Sequence, residues 1–259
     1  MRIFDSHCHL DDRSFDKDLK ATIDRAHQAG VRAMMVVGID GPSSKKAATI
    51  AGQNDRLIAS VGVHPHDAQS CDEETLNDLK SIAENPAVRA WGEVGLDFNR
   101  MYSPRPDQEH WFIRQLESGA ELNLPMIFHE RDSQGRFLEI LGAHWSPFRS
   151  GVIHCFSGSP SELKAYLDLG LYIGITGIVS IKSRGQALRR MIPDIPQDRL
   201  LVETDAPYLP PTPERNKHRR NEPAFVRTVL LKLAEIRDQD PEALADSVWD
   251  NTCRLFGNP

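Results

Sequence analysis

His7 and His9 stand two residues apart at the very start of the chain, behind Ile3, Phe4 and Asp5. In extended backbone, side chains at i and i+2 share one face. Both imidazoles then address one point, and Cys8 faces away. Two neutral imidazoles presented together are half of a site for a divalent transition metal. Further residues of the right chemistry follow along the chain: His64 and His66, Glu93 and Asp97, His129, His154, Glu203 and Asp205.

The elements that must position them follow from hydrophobic pattern. Short apolar, β-branched runs predict strands at 3–5, 33–37, 58–63, 88–93, 126–129, 151–154, 172–175 and 200–203. Helix-compatible stretches separate them. Phe15, Leu19, Ile23 and Ala26 mark one helical face closed by Gly30, and Leu163, Tyr166 and Leu167 another closed by Gly170. Two more helices are predicted at 224–237 and 242–256. Near-continuous apolar strands alternating with helices indicate a parallel sheet covered by helices. Eight such units in 259 residues point to an α/β fold of the (β/α)8 TIM barrel type, as one domain over 1–259.

In a parallel barrel the ends of the strands define one rim, where barrel enzymes keep their active sites. His7, His9, His64, His66, His129 and His154 all fall there, six of the ten histidines, with Glu93, Asp97 and Asp205. A single histidine is usually a surface residue or a satisfied core one; six on one rim indicate a metal site. We expect His7, His9 and Asp205 to hold one ion, and His129 and His154 a second, with Glu93 offering one oxygen to each. Ions about 3.5–4 Å apart clamp the attacking and leaving oxygens of a displacement at phosphorus. Asp205 is then the general base for a water, and Asp205 and Glu93 form the catalytic pair. Glu203 is expected to face the other way, as a partner behind the ligands. Asp5 either orients one of the first two histidines or caps the strand end. Cys8 and Cys155 should point away from the site, and His27, His110, His144 and His218 are bystanders.

Composition narrows the class. No apolar stretch approaches the roughly 20 residues of a membrane span, and the N-terminus has no basic and apolar leader. The four cysteines are scattered without a C-x-x-C pair, which suits reduced thiols in a cytoplasmic protein. A net charge of −6 argues against a non-specific nucleic-acid coat but not against a local basic patch.

Nine blocks in order along the chain resemble the TatD family of metal-dependent nucleases, within the amidohydrolase superfamily. They are D-S-H-C-H-L at 5–10, G-V-H-P-H at 62–66, G-E-V-G-L-D-F-N-R at 92–100, H-E-R-D at 129–132 and H-C-F-S-G at 154–158. Y-I-G-I-T-G at 172–177, E-T-D-A-P-Y-L at 203–209, R-N-E-P at 220–223 and N-T-C-R-L-F at 251–256 complete the set. The G-L-D-F-N-R, Y-I-G-I-T-G and R-N-E-P versions look closest to the bacterial TatD proteins. The resemblance implies a (β/α)8 barrel that hydrolyses phosphodiester bonds, as a 3′→5′ exonuclease on single-stranded DNA or RNA. It implies His7, His9, Glu93, His129, His154 and Asp205 as metal ligands and His64 as a substrate contact. The first His-x-His, which some relatives lack, is intact here. Glu130 stands where many relatives carry Ser or Cys, which leaves its role open. Family nucleases are commonly magnesium-dependent, but four imidazoles suit zinc or manganese better.

Arg100, Arg105, Arg131, Lys182, Arg184, Arg215, Lys217, Arg219 and Arg220 fall on the rim side and could neutralise phosphates. Arg131 and Arg220, beside the metal and R-N-E-P blocks, are the expected substrate contacts. Tyr102, Tyr208 and Phe98 are candidate base-stacking platforms. The expected partner is a single-stranded nucleic acid substrate, with no membrane and a monomeric chain. Two other classes compete: an amidohydrolase or esterase acting on a small molecule or an aminoacyl-tRNA end, and a metal-binding scaffold without catalysis. Glu93, where a carboxylated lysine would serve the phosphotriesterase and urease-like branches, disfavours those branches.

Overall fold

The computed structural model describes residues 1–146 and 149–259. Eight parallel strands run β1 (Ile3–Cys8), β2 (Val31–Val37), β3 (Leu57–Val61), β4 (Val88–Asp97), β5 (Met126–Arg131), β6 (Gly151–Ile153), β7 (Tyr172–Ile175) and β8 (Leu200–Val202). Each is hydrogen-bonded to the next in sequence order. Helices α1 (Leu19–Gln28), α2 (Gly41–Gly52), α3 (Glu73–Ala83), α4 (Arg105–Glu121), α5 (Arg136–His144), α6 (Pro160–Asp168), α7 (Gln186–Met191) and α8 (Val226–Arg237) follow strands one to eight in turn, and α9 (Pro241–Phe256) ends the chain. This is the (β/α)8 barrel expected from the rhythm of the sequence.

The helices start where local chemistry supplies acceptors for the first free N–H groups. Asp40 accepts from Ser43 N at 2.7 Å while Ser43 Oγ accepts from Asp40 N at 2.9 Å, a reciprocal cap on α2. Ser159 and Glu162 make the same pair on α6. α1 ends at Gly30, whose φ of +96° turns the chain into β2.

The seam between β8 and β1 closes the barrel with few backbone bonds and several side-chain ones. Asp205 N donates to His7 O at 2.9 Å and His9 N to Ala206 O at 2.7 Å. Below them the Asp5 carboxylate accepts from Thr204 N at 2.8 Å and from Thr204 Oγ1 at 2.6 Å. Asp5 thus ties the seam, and it also accepts a backbone hydrogen bond from His7.

Alternation sorts the strand side chains into two layers. Phe4, Ala33, Met35, Val37, Ile58, Ala90, Ile127, Val152 and Leu201 pack together with Leu255 and Phe256 of α9, filling the barrel and plugging its lower end. The alternate set, including Ile3, Met34, Val36, Trp91 and Phe128, packs outward under the helices. There Phe112 of α4 stacks on Phe137 of α5 at 5.0 Å, with Phe128 edge-on to both. Each such fully buried ring contributes roughly 1.5–3 kcal/mol over an exposed one.

Three strands outrun their predicted ends. β1 continues to Cys8, paired with Val36, and β4 and β5 continue to Asp97 and Arg131, paired with each other. The apolar pattern stops because polar side chains stand there: Asp5 bonds to Thr204 at the seam, and Glu93 faces the rim centre. The backbone pairing does not stop. No helix among the described residues is long and apolar enough to cross a membrane.

Candidate metal centre

The upper rim gathers the chemical residues into a cleft of about 490 Å³ whose wall includes His9, His64, Glu93, His129, His154 and Asp205. Local backbone explains why they meet. A left-handed φ of +58° at Asp205, directly after β8, directs the chain back over β1, where its N–H is held by His7 O. Gly95 lies opposite His129 in the β4–β5 register, with φ +147°. A Cβ there would overlap the His129 carbonyl. Only glycine lets the two strands approach closely enough to bring Glu93 and His129 together.

Five side chains converge on one point. His7 Nε2 lies 3.2 Å from His9 Nε2 and 3.3 Å from Glu93 Oε2. His9 Nε2 is 3.4 Å from Asp205 Oδ1. His154 Nε2 is 3.7 Å from the same Asp205 oxygen and 3.9 Å from Glu93 Oε1, and its ring stacks on His7 at 3.4 Å. His129 reaches Glu93 from the other side, with Nδ1 2.8 Å from Oε1 and Nε2 3.3 Å from Asp97 Oδ2. Among the described residues, three triads bring ligand atoms within 4.8 Å of one another: His7–His9–Glu93, His7–His154–Asp205 and His64–His66–His129. None of these triads holds both His129 and His154, but both approach Glu93 Oε1, at 2.8 and 3.9 Å. Glu93 lies between them, but His129 groups with His64 and His66.

The groups behind the ligands fix their orientation. His9 Nδ1 lies 3.1 Å from Val37 O, a contact that turns Nε2 toward the centre. His154 Nδ1 is 2.9 Å from Glu203 Oε1, within ion-pair reach though off the hydrogen-bond direction. Glu203 also accepts from Cys155 N at 2.6 Å and from Ser6 Oγ at 3.3 Å. Alternation alone would give Glu203 and Asp205 one face; the chain has left β8 by then, and the left-handed Asp205 separates the two carboxylates. His7 Nδ1 is buried without a hydrogen-bond partner.

Electrostatically the cluster attracts positive charge. Burial alone would raise Glu93, but the imidazoles of His64, His154 and His7 hold it well below the usual carboxylate range. Burial likewise opposes a charge on His9, yet Asp205 and Glu93 raise it to about 9. His154 reaches about 9 against burial through Glu203 and Glu93. His7, desolvated and pressed against His154, falls to about 3. Buried carboxylates beside imidazoles whose protons a divalent cation would displace form a donor set that fits such an ion.

His64 plays a different part. Its Nδ1 accepts from His66 N at 3.1 Å. Burial, then the neighbouring His129, lowers it to about 4 and keeps it neutral. The single ring proton therefore sits on Nε2, which faces Glu93 Oε1 at 3.5 Å and the cleft. In this state Nε2 is a donor.

The remaining expectations divide. Arg131, Arg100 and Arg184 line the cleft, as do Tyr102 and Tyr208, which are 63% and 51% exposed. Arg220 does not. Its guanidinium donates to Asp18 and Glu222 and lies 4.6 Å over the Phe15 ring, so its charge is spent on the packing of α1. Arg105 covers the face of Phe98 at 4.4 Å, and Phe98 packs against the core. Cys8 points away, its thiol 3.2 Å from Met35 O, but Cys155 lies in the cleft wall, because a φ of +49° breaks the alternation after β6. Glu130 caps the turn before α5, accepting from Ser133 N and Oγ.

Asp97 was given no role on sequence and emerges here. It accepts from His66 Nε2 at 2.8 Å and lies against His129. Burial would raise it; the bonds from His129, His66 and Arg100 N hold it well below the usual range. The signal was present, since Glu93, Gly95 and Asp97 share one strand face, but only for a strand read past 93.

Comparison with known proteins agrees with this geometry. The family profile described as TatD related DNase matches residues 4–257. A protein of Rahnella sp. named 3′-5′ ssDNA/RNA exonuclease TatD is 43% identical over 257 residues, covering 98% of each chain. One of the same name from Pantoea ananatis is 42% identical over 258 residues, covering 98% of this chain and 99% of its own. Among solved structures, a TatD homologue from Escherichia coli K12 superposes with a TM-score of 0.91 at 30% identity, covering 100% of this chain and 99% of its own. A phosphotriesterase homology protein from Escherichia coli, 15% identical with a TM-score of 0.70 over 98% of each chain, shares the barrel.

Proposed function

The chain belongs to the TatD-related DNase family, and on that footing we propose that it is a metal-dependent exonuclease trimming single-stranded DNA or RNA from the 3′ end. One observation carries the reading beyond family membership: His7, His9, Glu93, His154 and Asp205 converge within 3.2–3.9 Å at the floor of the cleft. His7, His9 and Asp205 would hold one divalent ion, and His129 and His154 a second, with Glu93 serving both. Zinc or manganese suits the imidazole-rich set better than magnesium, which prefers oxygen donors. Bound ions supply Lewis acidity toward a phosphoryl oxygen and acidify water at neutral pH.

The chain's own groups do the rest. Asp205, pinned by its backbone bond to His7 O, is placed to accept the proton of the attacking water. His64 Nε2–H faces the same space and donates to a non-bridging phosphate oxygen. Arg131 and Arg100 offset the charge of the phosphate from the cleft wall. Tyr102 and Tyr208, on loops after β4 and β8, offer ring faces to the terminal bases, a contact tolerant of sequence. Glu203 and Asp97 act as positioning residues for His154 and His129.

The test is direct. Labelled single-stranded DNA and RNA are incubated with the chain after chelation and after re-addition of zinc, manganese or magnesium. The reading expects a ladder shortened from the 3′ end only with an ion present. A strand left intact under every ion overturns it.

A further inference from the structure

Beside the cleft, the loops after β7 and β8 enclose a second groove of about 610 Å³, walled by Lys182, Ser183, Arg184, Thr212, Arg215 and Asn216. Arg184 lines both hollows and stands between them. We propose that this groove carries the sugar–phosphate backbone of a single strand away from the catalytic cleft. The inference rests on the nuclease reading for its ligand and adds the path the strand takes.

Three observations support it. The cations of the groove are uncompensated. No ion pair among the described residues involves Lys182, Arg184 or Arg215, whereas Arg25, Arg114, Arg136 and Arg220 are each held by two carboxylates. Such a concentration of free cations on a chain of net charge −6 is an electrostatic footprint for polyanion. Glu214, the acid next to Arg215 in the chain, is turned aside: its Oε1 accepts from Thr228 Oγ1 of α8.

The groove is also built beforehand. Arg189 of α7 donates to the carbonyls of Val179, Ile181 and Lys182 at 2.8–3.1 Å, which fixes the fold of one wall. Thr212 N donates to Ser180 Oγ at 2.8 Å, tying that wall to the other. A wall already ordered loses little entropy when a flexible strand docks. Finally, the depression is lined by polar and cationic groups around Ile181 and no exposed aromatic ring, which suits a backbone better than a base. Bases meet aromatic faces at Tyr208 and Tyr102 instead, back in the cleft.

The experiment compares binding of a fluorescent dinucleotide with that of a strand of about a dozen nucleotides, across a salt series, in the full chain. Lys182→Gln with Arg215→Gln is set against Arg32→Gln with Arg89→Gln, exposed cations near the opposite ends of β2 and β4. For the longer strand, the groove pair should lose roughly tenfold in affinity, and its log–log salt slope should fall by about 1.4, two phosphate contacts' worth. The dinucleotide should show no such slope change, and the control pair should behave like the parent. Wild-type affinity and slope in the groove pair, or equal weakening by the control pair, overturns the proposal. A groove that binds strand as expected in a chain that cleaves nothing would sink the nuclease reading while leaving the groove standing; cleavage without groove dependence would do the reverse.

Discussion

Glu93 carries more of the site than any other side chain, because its two oxygens face opposite halves of it: Oε2 toward His7 and Oε1 toward His129. Glu93→Ala should therefore strip bound metal from the whole centre, and elemental analysis of the purified variant checks it; a full complement of metal would remove Glu93 from the ligand set. Asp205→Asn should keep at least one ion but lose roughly 10²–10⁴-fold in turnover, the usual contribution of a positioned base. Near-parent rates would take that role from Asp205. At this scale much was readable in advance. The shared aim of His7 and His9 followed from their i, i+2 spacing, whereas the separation of Glu203 from Asp205, also i, i+2, needed the left-handed turn after β8. Arg220 and Cys155 did not follow. A guanidinium near a metal block in sequence is free or spent according to which carboxylates the fold brings to it, here Asp18 and Glu222, and a left-handed residue cancels the alternation that placed Cys155.

Among elements, the contact of β4 with β5 sets the width of the centre. Gly95→Ala forces a Cβ into the His129 carbonyl in a backbone conformation that L-residues avoid, so it should cost more than about 1 kcal/mol by thermal or denaturant unfolding. It should also weaken metal binding, by displacing His129. A variant equal to the parent in both would mean that β5 gives way easily there. The tie between α1 and the last loop makes a separate prediction. Arg220 bonds hold Asp18 well below the usual carboxylate range; Glu222, raised by burial, is lowered by Arg25 and Arg220. Both carboxylates bind protons more readily in the unfolded chain, so their contribution is present at neutral pH and fades as pH falls below about 4. Arg220→Ala should thus cost about 1 kcal/mol or less at pH 7, the pairs being partly exposed, and less near pH 3, with substrate affinity retained. A deficit that grows on acidification, or a loss of affinity, contradicts that assignment. Strand and helix order was legible from apolar rhythm, whereas the ends of β1, β4 and β5 were not, because pairing continues under polar side chains.

For the whole molecule, a barrel that closes β8 onto β1 is what turns residues 7 and 205 into neighbours, and the Asp5–Thr204 bonds secure that closure. The cleft, its cationic groove and its flanking tyrosines all lie on loops at one end, leaving the α9 plug to stabilise the other. The most direct measurement is anomalous diffraction from crystals grown with manganese or zinc, recorded on either side of the metal's absorption edge. The account predicts a peak enclosed by His7, His9, Glu93 and Asp205. No peak among those residues, in a protein that still degrades single strands, would contradict it.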